Sequence, residues 1–487
     1  MKPNEREPGH GPATGSAHRA TAPNPRLRAM LEGPVARTVL TLAWPNILMM
    51  IAQSSTGLIE SWFVARLGTD TLAGTALVLP LLMLMQNMSQ GAMGGGISSA
   101  IARALGADRK AEADRYVLHA LVLNIVLGVV FSVAELAAAR WLYPLLGGKG
   151  ASLHAALAYS NVIFCGITLM WVMNAFASAI RGTGNMLVPG LVICGGAFFL
   201  IPLSPCLIFG IGPFPKLGIA GAGYALLLYY GVGAAILGQY CLSGRNPARL
   251  RRGRLAWPMF RNILVVGGMA TINSLQTNVM IALSTALVGA YAGTAAVAGY
   301  GTGARLEYFI APLAFGIGAP LVAMVGSNIG AKQPERALRV AMVGGGLAFA
   351  LAETIGLVVA IWPHAWLGLF SHDPKMLAAG TVYLRSVGPF YGFFGMGWSL
   401  YFASQGAGRL KWPLLSGFFR LLLTVGGGWI ALRLTGSLVA FFAVAGAAMF
   451  LYGVVIVIAT LSGTWFRNTP APMRHIGTSS ISVASER

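Results

Sequence analysis

Between residues 38 and 462 the chain is a succession of apolar windows, each about 20 residues long. In hydrocarbon every backbone N–H and C=O needs a partner within its own segment, so such windows fold as membrane-spanning helices. They start near residues 38, 71, 115, 153, 188, 218, 262, 295, 336, 376, 410 and 436, which predicts about twelve spans. Composition agrees: at 56% hydrophobic and only 10% charged, a soluble fold of 487 residues would carry more apolar surface than it can bury. The 64 glycines suit a bundle in which backbones approach closely. The predicted fold class is all-α integral membrane.

Charge sets the expected topology. About three quarters of the 34 Lys and Arg fall on the N-terminal stretch, on alternate connections between spans and on the C-terminal stretch. That bias marks cytoplasmic loops and places both termini in the cytoplasm, with the bacterial inner membrane as the expected location. The net charge of +20 is therefore read as a topology determinant touching anionic lipid, and no nucleic-acid partner is expected. Residues 1–37 and 464–487 are polar and rich in Pro, Gly, Ser or Arg; they are expected to be disordered tails, with no signal peptide and no appended soluble domain. The four cysteines lack CxxC spacing, so neither a disulfide framework nor a metal site is expected.

The chain also repeats itself. "SSAIARALGADRKAEADR" (98–115) resembles "LVAMVGSNIGAKQPERALR" (321–339), with Gly106 and Gly330 in register, 224 residues apart. "RGTGNMLVP" (181–189) matches "QGAGRLKWP" (405–413), with Pro189 and Pro413 at the same separation. Two landmarks with one offset indicate a duplicated six-helix unit. Six is even, so both halves run in one orientation, as parallel repeats do, and transporters of that design bind substrate between the halves. The expected lobes are 38–243 and 262–463, joined by a basic linker at 244–261 on which they can rock.

These landmarks resemble the multidrug and toxic compound extrusion (MATE) transporters. The likeness rests on "LIESWFVARLG" after a proline-broken first helix, "ARALGADRKAEA", "RGTGNMLVP", "IFGIGPFPKLGIAGAGYA" (208–225) and "VGSNIGAKQPERA", and covers about residues 38 to 462. It implies a twelve-helix, V-shaped, two-lobed antiporter that expels organic cations or other amphipathic drugs against protons or sodium, as a monomer and without a cofactor. The chain departs from the family pattern in places. Glu60 stands where many members carry Asp, and Ser204 stands where an Asp-Pro is common. The seventh helix offers the neutral Gln276, and the tenth has no acid. With fewer carboxylates available to ligate sodium, protons are the expected driving ion.

Glu60 is the acid the first span cannot carry without a reason. It lies six residues before Arg66, roughly 9 Å from the outer end at 1.5 Å per residue. Gly57, Thr56 and Gln53 precede it on the same face, a small and polar stripe unlike a lipid-facing one. Charge is what hydrocarbon penalises, and a carboxyl group escapes the penalty by binding a proton. One such group can serve a proton and an organic cation in competition, which is the minimum an antiporter needs. Snorkelling to the headgroups is the structural alternative, and Arg66 at i+6 faces poorly for pairing. Pro45 removes a helical hydrogen bond fifteen residues earlier and is the expected hinge.

Other candidates are weighed against plain packing. Glu307 in the eighth span is either a second proton or cation site or a partner tying helices together; Glu353 and Glu135 are lesser acids. Trp171, Asn174 and Ser178 share a face that can line a cavity or form interhelical hydrogen bonds. At the 224 offset Asn174 meets Trp398, and Tyr401 continues that face, so an aromatic surface opposite a polar one would suit flat cations. Gln86 and Gln90, flanked by methionines, suit a promiscuous surface or an ordinary core. The scattered histidines and the lack of GxSxG or P-loop patterns disfavour a membrane-embedded enzyme. An exporter of lipid-linked or polysaccharide precursors is the nearer rival. It would want a cationic cavity, for which Arg305 and Arg385 are the mid-span bases noted here.

Overall fold

The computed structural model describes residues 25–463 and Trp465. Twelve spans occur among the described residues. The first six are α1 (Val35–Ala65), α2 (Thr69–Gly106), α3 (Lys110–Leu145), α4 (Gly150–Gly166 and Thr168–Gly182, bent by 47°), α5 (Leu187–Phe209) and α6 (Ile219–Leu242). The helical stretch Trp257–Gly330 turns over at Gly293, whose φ of 78° only a residue without a Cβ adopts easily. Its arms are α7 (257–292) and α8 (294–330). Then come α9 (Pro334–Ile361), α10 (Pro374–Val387 and Tyr391–Ala407, joined by the turn Gly388–Phe390), α11 (Lys411–Thr435) and α12 (Leu438–Leu461). Single π-helical stretches interrupt α2 at Asn87–Met93 and α11 at Leu423–Gly427.

The duplication extends to backbone shape. Among the described residues the non-glycines with positive φ are Asp108 and Lys332, both at 58° and 224 positions apart. Gly184 and Gly408 (80° and 71°) and Gly212 and Gly436 (71° and 65°) repeat at the same interval. A left-handed residue is costly for most side chains, so matched pairs of them mark one chain path used twice.

Each repeat closes around its own apolar core. Ile163, Phe164, Trp171 and Tyr230 lie in the first. Tyr300, Tyr383, Tyr391 and Phe442 lie in the second, where Tyr300 stacks on Phe442 at 5.7 Å. A third cluster joins the lobes, packing Val39, Ala43 and Met186 against Ile317, Leu321 and Met324. It lies at the basic end of the bundle. There Gly106 and Gly330 bring α2 and α8 so close that a Cβ on either would clash with the other helix's backbone, at Ser327 and Arg103 respectively. The Arg103 guanidinium adds a hydrogen bond to the Gly406 carbonyl at 2.9 Å. Towards the opposite end α1 opens to its surroundings, with Leu58 74% exposed and free space beside Gly57.

Two boundaries differ from expectation. Of the tail expected to be disordered over 1–37, residues 1–24 lie outside the described residues, but Pro25–Glu32 is a helix with Met30 fully buried. It is held because Asn328 and Arg336 donate to the Met30 carbonyl, at 3.2 and 3.4 Å. The disorder expected over 464–487 concerns residues outside the described ones, Trp465 apart, and Trp465 is buried. The linker expected over 244–261 ends sooner, since α7 begins at Trp257. It is also bonded to the first lobe: Arg249 N–H donates to Asp114 at 2.7 Å and Ala256 N–H to His119 Nε2 at 2.8 Å.

Candidate functional site

Glu60 points inward, within the first lobe. One carboxylate oxygen is buried with no hydrogen-bond partner among the described residues. Tyr159 at the start of α4, and Tyr229 and Tyr230 on α6, stand in electrostatic range of it. Glu60 is partly buried, and Arg66 does not pair with it but stacks over Trp62 at 3.9 Å. The surrounding wall is the first lobe itself and not the seam between lobes, where the sequence reading had put the site.

A polar chain leads away from Glu60. Gln53, one helical turn and more below it, is hydrogen-bonded to Tyr229. Tyr230 donates to Gln86 Oε1 at 3.3 Å, and Gln86 Nε2 donates to Gln90 Oε1 at 3.4 Å. Nearby on α2, Ser89 accepts from Asn174 Nδ2 at 3.1 Å. The π-helical stretch Asn87–Met93 carries Ser89 and Gln90, and its widened turn re-aims side chains that a regular helix would place elsewhere. Thr56 is buried but spends its hydroxyl on the Ala52 carbonyl of its own helix. α1 runs on as a helix through the buried Pro45.

The second lobe holds a separate cluster. Tyr383 donates to Glu307 Oε1 at 2.7 Å, and Arg420 meets Glu307 Oε2 at 3.4 Å. Glu307 therefore ties α8 to α10 and α11. The Arg420 guanidinium also lies over Phe394 at 4.9 Å and Tyr452 at 5.6 Å. It shares a small niche with Gln276 and Trp398. Gln276 donates to the Leu414 carbonyl at 3.4 Å, and Tyr401 accepts from Gln405 at 3.1 Å. A larger cavity of about 530 Å³ between α11 and α12 is walled almost wholly by apolar groups beside Arg420 and lies away from Glu60.

Several expectations need correcting. Trp171 is fully buried, stacked on Phe131 at 5.5 Å with its indole N–H unpaired among the described residues, so it packs in the core of the first lobe. The Trp171–Asn174–Ser178 face is divided: Asn174 bonds to Ser89, while Ser178 reaches the seam between lobes. Asn174 and Trp398 do not oppose one another across a cavity, because each is engaged within its own lobe. Ser204 is buried with its hydroxyl unpaired among the described residues. Arg305 and Arg385 are exposed, whereas Arg181 and Arg420 are buried inside spans. Glu353 accepts the Gly392 N–H at 2.7 Å, and Glu135 keeps one buried oxygen unpaired.

Sequence reasoning missed the tyrosines around Glu60, and it missed Arg420. The doublet "YY" at 229–230 was the available signal for the former; for Arg420, its position ten residues into an otherwise apolar span was. The Glu307–Arg420 pair makes a stability prediction. Removing one partner of a buried pair strands the other charge, so Arg420→Met alone should destabilise by about 3 kcal/mol. Arg420→Met with Glu307→Gln should recover most of that loss, as read from chemical unfolding in detergent; additive losses would mean that the two groups act separately.

Among the described residues no three His, Cys, Asp or Glu side chains converge as a metal site would require. The family model MatE matches residues 45–206 and 270–430, one block in each repeat. The chain is similar to the FAD transporter of Shewanella oneidensis, at 26% identity over 373 residues, covering 75% of this chain and 81% of that protein. It is similar to the probable multidrug resistance protein NorM of Thermotoga maritima, at 26% over 393 residues, covering 80% and 83%. In fold it is similar to a MOP superfamily transporter from Pyrococcus furiosus, with a TM-score of 0.83 at 22% identity, covering 92% of this chain and 99% of that one.

Proposed function

Since the chain belongs to the MatE family of transporters, we propose that it is a proton-driven exporter of organic cations or other amphipathic compounds. The observation that carries the reading is Glu60: a carboxylate inside a membrane span, with a buried oxygen that no described residue satisfies. A proton or a substrate cation can satisfy it, and either excludes the other. Phenol hydroxyls and the Gln86–Gln90 chain offer neutral hydrogen-bonding partners that suit a carboxyl group in both states. The kinship with NorM of Thermotoga maritima supports drug-like cargo.

The basic end is the cytoplasmic face on this reading, with both termini there and the bundle in a bacterial inner membrane. The sealed contact of α2 with α8 then closes the inside, so the structure is outward-facing. A proton arriving from outside neutralises Glu60 and releases the bound cation. Bending of α1 at Pro45 then repacks the first lobe, and rocking of the lobes opens the inside. One chain supplies both lobes, so a monomer suffices. Glu307, already engaged by Arg420 and Tyr383, serves to hold the second lobe together.

A second reading has its own support. Arg181 and Arg420 are bases buried in the spans, and a relative is named for transport of FAD, so a phosphate-bearing cargo fits as well. Reconstituted vesicles with pH and sodium gradients imposed separately decide among these readings. A fluorescent cation should move with the pH gradient alone. Strict dependence on sodium would reverse the ion assignment, and transport of FAD without the cation would install the second reading.

A further inference from the structure

We propose that the seam between the two lobes holds a chloride-sized inorganic anion on the guanidinium of Arg181. A chamber of about 20 Å³ lies there, and its walls come in pairs 224 residues apart: Ser98 with Val322, Ser178 with Phe402, Arg181 with Gln405. Such pairing places the chamber on the axis that relates the repeats, at the point where both lobes contribute equally to the closed seal. The lobes do not contribute the same chemistry, however. The first supplies the cation, the Gln90 amide, the Ser178 hydroxyl and a Ser98 hydroxyl that donates to the Ser178 carbonyl at 2.7 Å, while the second supplies Val322, Phe402 and the Gln405 amide.

Arg181 ends α4 and is only 4% exposed. Its Nε–H donates to the Ala177 carbonyl at 3.4 Å, and its Nη2 has no partner among the described residues. No carboxylate among them pairs with it or lies in electrostatic range. The contrast with the other buried arginines is direct: Arg420 has Glu307, and Arg103 has Glu112 within range and the Gly406 carbonyl in contact. A guanidinium out of water and without a counter-charge is the arrangement proteins avoid most consistently.

The chamber's size selects what can answer that charge. A site needs about 10–15 Å³ to take one water-sized particle, and the space of about 20 Å³ beside Arg181 suffices for a single small ion. Water would fill the donor's hydrogen bond but bring no charge. A monovalent anion does both, and the apolar side formed by Val322 and Phe402 favours chloride or bromide over strongly hydrated ions. Gln405 lines the chamber without donating to the anion, because its Nε2 is held by the Gly91 carbonyl at 3.4 Å and the Tyr401 hydroxyl at 3.1 Å. Because the two lobes each form one side of the chamber, an anion bound there favours the sealed arrangement. That last step rests on the alternating-access reading above, but the binding itself does not.

The experiment uses the purified full-length chain in detergent, with its thermal midpoint read in chloride, bromide, inorganic phosphate and gluconate at one ionic strength. Chloride and bromide should raise the midpoint over gluconate by about 3 °C or more, through mass action on a folded-state site. Arg181→Gln should abolish that difference, and crystals grown in bromide should show anomalous scattering beside Arg181. Equal midpoints in all salts, with only a water at Arg181, would overturn the proposal. So would a chloride gain retained by Arg181→Gln, or stabilisation by phosphate but not chloride. If Arg181→Gln does not fold, Arg181→Lys and the bromide signal of the unaltered chain decide it. Transport is not measured, so a failure here leaves the export reading standing, and a failure of that reading leaves the anion site standing.

Discussion

Glu60→Gln is expected to insert and fold like the unaltered chain while losing proton-driven efflux by about 100-fold or more. The amide keeps the shape of the carboxyl group and can hydrogen-bond the tyrosines around it, but it neither binds nor releases a proton. It also removes the need to bury a charge on a carboxylate whose buried oxygen has no partner among the described residues, so the thermal midpoint should stay level or rise slightly. The two readouts separate coupling from structure. Efflux of a fluorescent cation driven by a pH gradient, measured at matched protein levels, is the deciding assay. Full activity in Glu60→Gln would end the coupling role, whereas loss of activity together with loss of folding would assign the residue to packing.

Gly106→Leu should hold the basic end open. A side chain there is directed into the backbone of Ser327, and backbone, unlike the tip of a long side chain, cannot swing aside. Overpacking of this kind costs about 1–3 kcal/mol. The cost falls on the sealed state alone, because the two helices separate when the lobes open. At the upper figure the ratio of sealed to open molecules drops roughly 100-fold, enough to abolish a cycle that must visit both states. A cysteine placed by Ser98→Cys, in a chain whose Cys165, Cys194, Cys206 and Cys241 are replaced, reports the change. Its labelling by a membrane-impermeant thiol reagent from the basic side should accelerate in Gly106→Leu and stay slow in the parent. Unchanged labelling with normal efflux would show that this contact is not the seal. Gly330→Leu should behave alike, since its side chain meets the Arg103 backbone at the matching position.

Much of the first lobe's site was legible from one helix. The stripe of Gln53, Thr56, Gly57 and Glu60 follows from helical periodicity; within it Thr56 is buried, Gln53 and Glu60 are partly buried, and Gly57 stands open. The partners were not legible, because Tyr159, Tyr229 and Tyr230 arrive on helices about 100 and 170 residues further along the chain. Trp171 shows the converse error. It shares a helical face with Asn174 and Ser178, but that face runs from the core of the first lobe, where Phe131 stacks on Trp171, to the seam, which Ser178 reaches. The helix Pro25–Glu32 was read as tail because its own composition is polar; what orders it is Asn328 and Arg336, about 300 positions away.

The sequence by itself determined the solvent, the number of spans, the duplication and the acid in the first span, since each depends on hydrophobicity and spacing along a single helix or on comparing the chain with itself. Only the tertiary structure decided that Glu60 sits within one lobe in electrostatic range of three tyrosines, that Glu307 is taken by Arg420, and that Arg181 is buried at the seam with no carboxylate beside it among the described residues. Those outcomes depend on which faces of twelve similar helices meet. In a bundle where nearly every helix is apolar, pairing is set by close approach of small residues and a few hydrogen bonds, neither of which leaves a local pattern to read.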